Sequence, residues 1–215
     1  MSAEFKPFDV GSVNSSSVVC VFGRRETGQN DIVKRVLSAH MDIPFMAVVS
    51  PTEDSSGFYH TFIPSRFIFG DYSAEVVDAF VKRQVRVRKE KLAEDYRGAL
   101  VLDDCLHDND GWISDRNVRT AVLNGRHLGI LLIMAFQAVP EIPPSIRCNT
   151  DYVIISRNTS GRDRRALHDG YASMFGSLEA LCHALDALPD NCQLVIQPGA
   201  PSNELKDQVF WLHGL

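Results

Sequence analysis

The chain reads as an α/β domain with a mainly parallel central sheet and helices on both faces, and three observations predict it. Five runs of strand length are almost continuously apolar: Val18 to Phe22, Phe45 to Val49, Ala99 to Leu102, Ile130 to Phe136 and Tyr152 to Ser156. Strands covered on both faces have this pattern, whereas a half-solvated sheet alternates apolar with polar residues. Segments of helical spacing lie between most of these runs, and strands alternating with helices imply parallel pairing with crossover helices.

In chain order, a polar lead over 1–17, with serines at Ser12 and from Ser15 to Ser17, precedes the first strand at Val18 to Phe22. A helix follows from Asn30 or Asp31 to His40, because Ile32, Val33, Val36 and Leu37 recur on one face. The second strand, Phe45 to Val49, is broken by Pro51, and Phe62 to Phe69 holds a further short strand. Ala74 to Leu92 has helical spacing, with its acids first and its basic residues later, the order the helix dipole favours. The strand at Ala99 to Leu102 leads to a helix from about Ser114 to Leu128, capped by Ser114 or Asp115. After Ile130 to Phe136, a turn containing Pro140, Pro143 and Pro144 leads to Tyr152 to Ser156. Helices near Arg162 to Tyr171 and Leu178 to Leu188 precede closing strands at Gln193 to Ile196 and Val209 to Leu212. Residues 18–215 are expected to form a single domain.

Composition limits the function. At 215 residues and 45% hydrophobic, the chain is long enough to bury one substantial core. A formal net charge of -5 argues against a generally basic nucleic-acid coat, while leaving room for a local basic surface. The five cysteines, Cys20, Cys105, Cys148, Cys182 and Cys192, are odd in number and scattered, as reduced core thiols are. No apolar run is long enough to cross a bilayer, so a soluble, intracellular protein is expected. His107, His127, His168 and His183 lack cysteines at ligand spacing, and no structural metal is expected.

The chemistry concentrates in two stretches. Val18 to Asn30 is an apolar strand opening into a loop with glycines five apart, at Gly23 and Gly28. This is the frame of a phosphate-binding P-loop, in which backbone amides wrap phosphate, a lysine follows the second glycine and the next hydroxyl binds magnesium. The second stretch, Ala99-Leu-Val-Leu-Asp-Asp-Cys105, has the form of a Walker B strand ending in two acids. Each has a plainer reading, as a strand-to-helix turn and as surface acids at a strand end. Both in the right order make coincidence a weaker account. In an ATPase Asp103 would hold magnesium through water and Asp104 would polarise the attacking water. Gln137 ends the next core strand, where its amide would sense the γ-phosphate, with a plain strand-end glutamine as the competing reading. A parallel sheet gathers its ligand site at the carboxyl ends of its strands, which puts Gly23, Arg24, Arg25, Thr27, Gly28, Gln29, Asn30, Asp103, Asp104 and Gln137 on one edge.

From Val18 to Ile196 the chain resembles the DNA-packaging ATPases of poxviruses and other large nucleocytoplasmic DNA viruses, members of the FtsK/HerA group of P-loop motors. Beyond the two stretches above, the resemblance rests on Asp42-Ile-Pro44, Gly57-Phe-Tyr-x-x-Phe-Ile-Pro64, Leu102-Asp-Asp-Cys-Leu106 and Asn124-Gly-Arg-His127. It continues through Gln137, Ile142-Pro-Pro-x-Ile-Arg147, Asp151-Tyr-Val153 and Tyr171-Ala-x-Met-Phe175. It implies a P-loop NTPase fold of the RecA/FtsK/HerA type with ATP and Mg2+ as cofactors. The implied partners are double-stranded DNA, further copies in a homo-oligomeric ring, and viral capsid or membrane-associated packaging proteins. The implied setting is the viral factory in the host cytoplasm, or the virion. By position, the resemblance makes Asp103 and Asp104 the Walker B pair, Gln137 the sensor, and Arg147 or Arg126 the arginine that completes a neighbour's site, with Arg147 preferred. For each arginine a structural ion pair is the competing reading.

The chain departs from the family where the lysine and hydroxyl belong, with Gln29 and Asn30 in their places. A neutral amide can donate to phosphate but cannot neutralise charge developing on the transferred group. Arg24 and Arg25 are the candidate replacements, while Glu26 adds an opposing charge. Two main readings follow: a translocating ATPase with a weakened site, and a silent P-loop subunit that keeps fold and oligomer surfaces. A third, a nucleotide kinase, needs an arginine-rich lid, for which Arg162 to Arg165 is the candidate. The basic run Lys82 to Lys91 reads either as a DNA-facing surface or as a solvated helix face, and a Cys105 nucleophile with His107 or His127 as base is the weaker alternative to a buried thiol.

Overall fold

The computed structural model describes residues 5–24, 27–105, 110–139, 142–157 and 160–213. The candidates Arg25, Glu26, His107 and Pro140 lie outside them. Among the described residues the strands are β1 (Lys6–Pro7), β2 (Val18–Phe22), β3 (Met46–Val49), β4 (Ile68–Phe69), β5 (Gly98–Asp103), β6 (Ile130–Phe136), β7 (Tyr152–Ser156), β8 (Cys192–Ile196) and β9 (Val209–His213). The helices are α1 (Gln29–Ser38), α2 (Glu53–Ser56), α3 (Ala74–Glu90), α4 (Arg116–Leu128), α5 (Pro144–Arg147), α6 (Gly161–Tyr171), α7 (Leu178–Asp186) and α8 (Leu205–Gln208).

The strands form one sheet in the order β1-β9-β8-β7-β2-β6-β5-β3-β4. From β7 through β4 every pairing is parallel, and the antiparallel pairs are β7 with β8 and β8 with β9. Every residue of β2, β3, β5, β6, β7 and β8 is buried, which explains why these strands read as apolar runs. The sheet divides the core. One face packs Val77 and Phe80 of α3, Val118 and Val122 of α4, Leu167 of α6 and Leu181 of α7. The opposite face packs Ile32, Val33 and Val36 of α1 with Tyr59 and Ile63. Helices thus cover both faces, as expected.

The stretch before β2 is polar by composition, yet it joins the sheet. Lys6 and Pro7 pair in parallel with Phe210 and Trp211, while Phe8, Val10 and Val13 are buried. Its serines conceal three apolar anchors spaced too irregularly to form a periodic pattern. Several helix ends follow local chemistry. Asp115 caps α4, its Oδ1 accepting from Asn117 N at 2.7 Å and Val118 N at 3.3 Å, so the helix begins at Arg116. Helix α1 begins earlier than its apolar spacing predicts, at Gln29, because Gly28 supplies its N-cap at φ 82. That left-handed conformation favours glycine.

Candidate functional site

The carboxyl edge of β2, β5 and β6 encloses a cleft of about 410 Å³ lined by Arg24, Gly28, Gln29, Asn30, Asp31, Thr52, Ser55, Ser56, Asp103, Asp104 and Gln137. Strand register builds this edge. Phe22, the last residue of β2, pairs with Phe136, the last of β6, and Asp103, the last of β5, pairs with Ala135. Residues 23, 104 and 137 therefore emerge side by side. Phe22 stacks on Phe136 with centroids 5.2 Å apart, and Phe136 on Trp112 at 5.7 Å, an aromatic stack that fixes the ends of β2 and β6.

The loop after β2 is closely held. Gly23 N donates to Phe136 O at 3.0 Å, and Thr27 donates to Arg24 O through its N at 3.2 Å and its Oγ1 at 2.6 Å. A Cβ on residue 23 would lie 2.9 Å from both Ser156 Oγ and Thr27 Oγ1, so that close approach requires glycine. Gln29, where the P-loop pattern has lysine, is buried. Its amide turns inward: Nε2 donates to Gly23 O at 2.8 Å and Oε1 accepts from Phe136 N at 2.9 Å. Gln29 thus staples the loop to β6, and these two bonds occupy its polar atoms away from the cleft. Arg24, exposed at the cleft wall, is the cation among the described lining residues, set against the carboxylates of Asp31, Asp103 and Asp104.

The opposite wall is a buried acid network. Asp103 is only 4% exposed, and its Oδ2 accepts from Tyr59 Oη at 2.9 Å and Ser50 Oγ at 3.4 Å. Burial raises its pKa to about 6, the adjacent Asp104 charge adds to the rise, and the Tyr59 hydroxyl opposes it. Glu53 of α2, 1% exposed, fixes the segment that carries Tyr59. Its carboxylate accepts from Tyr59 N at 3.0 Å, His60 N at 2.8 Å and His60 Nδ1 at 2.7 Å. Burial pushes this carboxyl up, and those bonds more than offset it, leaving the net shift downward. Asp104 has φ 52, in the left-handed region, and its Oδ2 accepts from Gln137 Nε2. An aspartate held there carries a local cost of about 1 kcal/mol.

Of the predicted residues, Arg24, Gly28, Gln29, Asn30, Asp103, Asp104 and Gln137 meet at the cleft, and Gly23 and Thr27 form the loop behind it. Arg126 and Arg147 lie elsewhere. Arg126, at the end of α4, pairs with Asp151, whose other oxygen accepts from Val18 N at 2.9 Å, on the amino edge of the sheet. Arg147 lines a separate cleft of about 550 Å³ with Arg162, Asp169, Ile142, Pro143 and Pro144. Arg162 to Arg165 lie on α6, where Arg164 binds Asp186 at 3.0 Å, so they form no lid over the first cleft. The basic run on α3 is substantially engaged: Lys82 pairs with Asp78 at 2.6 Å, Arg86 with Glu90 at 3.1 Å, and Arg83 stacks over Phe45 at 3.9 Å. Cys105 is a buried thiol directed at Val49 O, with burial pushing its pKa well up, unlike a nucleophile. Cys148, by contrast, is exposed. The sequence reading omitted Ser50, Glu53 and Thr52 altogether. Tyr59 was within reach, because it stands inside the Gly57 to Pro64 motif.

No family model matches the chain. Uncharacterized protein 075L of Invertebrate iridescent virus 6 is 33% identical over 218 residues, covering 96% of this chain and 84% of that protein. Uncharacterized protein L437 of Acanthamoeba polyphaga mimivirus is 26% identical, covering 97% of this chain and 76% of that protein. Among solved structures, the genome packaging NTPase B204 of Sulfolobus turreted icosahedral virus 2, in complex with AMPPCP, matches with a TM-score of 0.66 at 13% identity. That match covers 94% of this chain and all of the other. The pCW3 conjugation coupling protein TcpA, with ATPgS, matches with a TM-score of 0.61 at 12% identity over 98% of this chain and 69% of that one. These likenesses agree with the resemblance read from the sequence, and the fold is that of the packaging NTPases. The chain belongs to the family of viral proteins that includes protein 075L of Invertebrate iridescent virus 6.

Proposed function

We propose that the protein is a nucleotide-driven subunit of a viral genome-packaging machine, taking ATP with Mg2+ in the cleft between the phosphate loop and the end of β5. The observation that carries this reading is the meeting of Gly28, Asp103, Asp104 and Gln137 around one cleft. The carboxylates, hydroxyls and amides lining it are hard oxygen donors of the kind magnesium takes, and Asp103 would hold the ion. When bound, magnesium neutralises charge on the phosphate oxygens. Arg24 supplies the cation that Gln29 does not, and Asp104, kept in place by Gln137, orients and polarises the attacking water. Double-stranded DNA is the proposed substrate, moved by a homo-oligomeric ring that works with capsid or membrane-associated packaging proteins in the viral factory or virion. Arg147 is the preferred candidate to complete a neighbour's site, since Arg126 already has an ionic partner.

A second reading, a silent structural or regulatory subunit on the same fold, is favoured by one observation: the inward Gln29 amide leaves α1 without a phosphate-binding ammonium. Titration of the natural chain with ATP and Mg2+, with hydrolysis followed in the same samples, separates the two. Binding with turnover, the affinity weakened tenfold by Arg24→Ala, about 1.4 kcal/mol, supports the first reading, and absence of turnover supports the second.

A further inference from the structure

We propose that Thr52, in the turn between β3 and α2, supplies the hydroxyl that binds the divalent cation of a nucleotide in this cleft, replacing the one α1 lacks. The inference rests on the nucleotide reading of the cleft and names a ligand for it that the P-loop pattern does not contain.

Thr52 is singled out by its link to Asp103. Asn30 stands where the loop hydroxyl belongs, and the Gln29 amide bonds Gly23 O and Phe136 N. Thr27, the hydroxyl of the phosphate loop, donates to Arg24 O at 2.6 Å. Across the cleft, Thr52, Ser55 and Ser56 share the lining with Asp103. Ser55 Oγ donates to Thr52 O at 2.9 Å, while Ser56 Oγ donates to Glu53 Oε2 at 3.4 Å and accepts from Phe58 N at 3.4 Å, so both serve their own turn. Thr52 Oγ1 lies 3.3 Å from Ser50 Oγ, which donates to Asp103 Oδ2 at 3.4 Å. Thr52 and Asp103 thus flank one buried serine, with a lone pair of the Thr52 hydroxyl left for a ligand.

Electrostatics give the cation a reason to be there. Among the described lining residues Asp31, Asp103 and Asp104 outnumber Arg24, and a triphosphate entering alone would add its negative charge to theirs. Magnesium prefers oxygen ligands at near-ideal octahedral geometry and keeps several waters, so one carboxylate and one hydroxyl, with the phosphates, are the customary protein contribution.

The test compares affinity for ATP alone and for Mn2+-ATP, read by calorimetry, with the Mn2+ EPR spectrum as a direct view of the ion. The natural chain is expected to prefer Mn2+-ATP at least tenfold. Thr52→Val should lose most of that preference, and Thr52→Ser should retain it, which excludes misfolding as the cause. A full metal preference in Thr52→Val overturns the assignment while leaving the nucleotide reading standing. No ATP binding by the natural chain overturns that reading and the assignment with it.

Discussion

The two walls of the cleft are built on different principles. The phosphate-loop wall is made of backbone: glycines at 23 and 28, a loop closed on Arg24 O, and a glutamine whose side chain serves the fold. The β5 wall is made of buried charge, with Asp103 and Glu53 held by Tyr59, Ser50, His60 and backbone N–H groups. A loop shape can survive loss of its lysine because amides and turns fix it. A buried carboxylate cannot be left unpartnered without a cost of several kcal/mol. The contrast teaches that the family's frame and the family's charge are separable, and that the charge here lies mainly on the acid side.

The largest expected effect breaks the acid wall. Glu53→Ala leaves two backbone N–H groups without their acceptor and should lower stability by about 3 kcal/mol, measured by urea denaturation. The next sharpens the cost of keeping Asp103. Its pKa is raised to about 6 from 3.8, so the folded state binds the proton more tightly than the unfolded one. The contribution of this group to stability is therefore full below about pH 4 and is lost as pH rises through about 6. Asp103→Asn should accordingly stabilise the protein by about 2 kcal/mol at pH 7.5, with the gain vanishing near pH 4, in melts across that range. An unchanged melting temperature at pH 7.5 would show that Asp103 carries no such penalty.

The phosphate-loop wall should lose stability and gain affinity. Gln29→Lys combined with Asn30→Thr removes the amide staple and should cost about 1 to 2 kcal/mol of stability, while tightening ATP at least tenfold, seen by pairing a denaturation curve with a binding isotherm. The smallest effect is expected away from both walls. Arg126→Ala removes an exposed partner of Asp151 and should cost about 0.5 to 1 kcal/mol, leaving ATP turnover within twofold; a larger loss of turnover would give Arg126 the role proposed for Arg147.

The strands were legible because burial on both faces writes itself as an apolar run, and β6 and β7 keep the bounds read from sequence. The phosphate loop and the acid pair were legible because their chemistry is local. The hidden parts depend on contacts between distant segments. Tyr59 meets Asp103 across 44 positions and Ser50 meets it across 53, so neither pairing is written locally, although Tyr59 itself stands inside the Gly57 to Pro64 motif. The inward turn of Gln29 likewise depends on Phe136, a strand edge brought near only by the β2 and β6 register. Strand β1 was missed because two residues cannot establish a period.

The central claim is that this cleft still works on nucleotide although its loop has no lysine. ATP hydrolysis with and without double-stranded DNA, in the natural chain, in Asp104→Asn and in Gln29→Lys with Asn30→Thr, tests it most directly. The account predicts DNA-stimulated turnover by the natural chain that Asp104→Asn abolishes. Turnover appearing only after the lysine and threonine are restored would contradict it and mark a retained frame whose chemistry has been switched off.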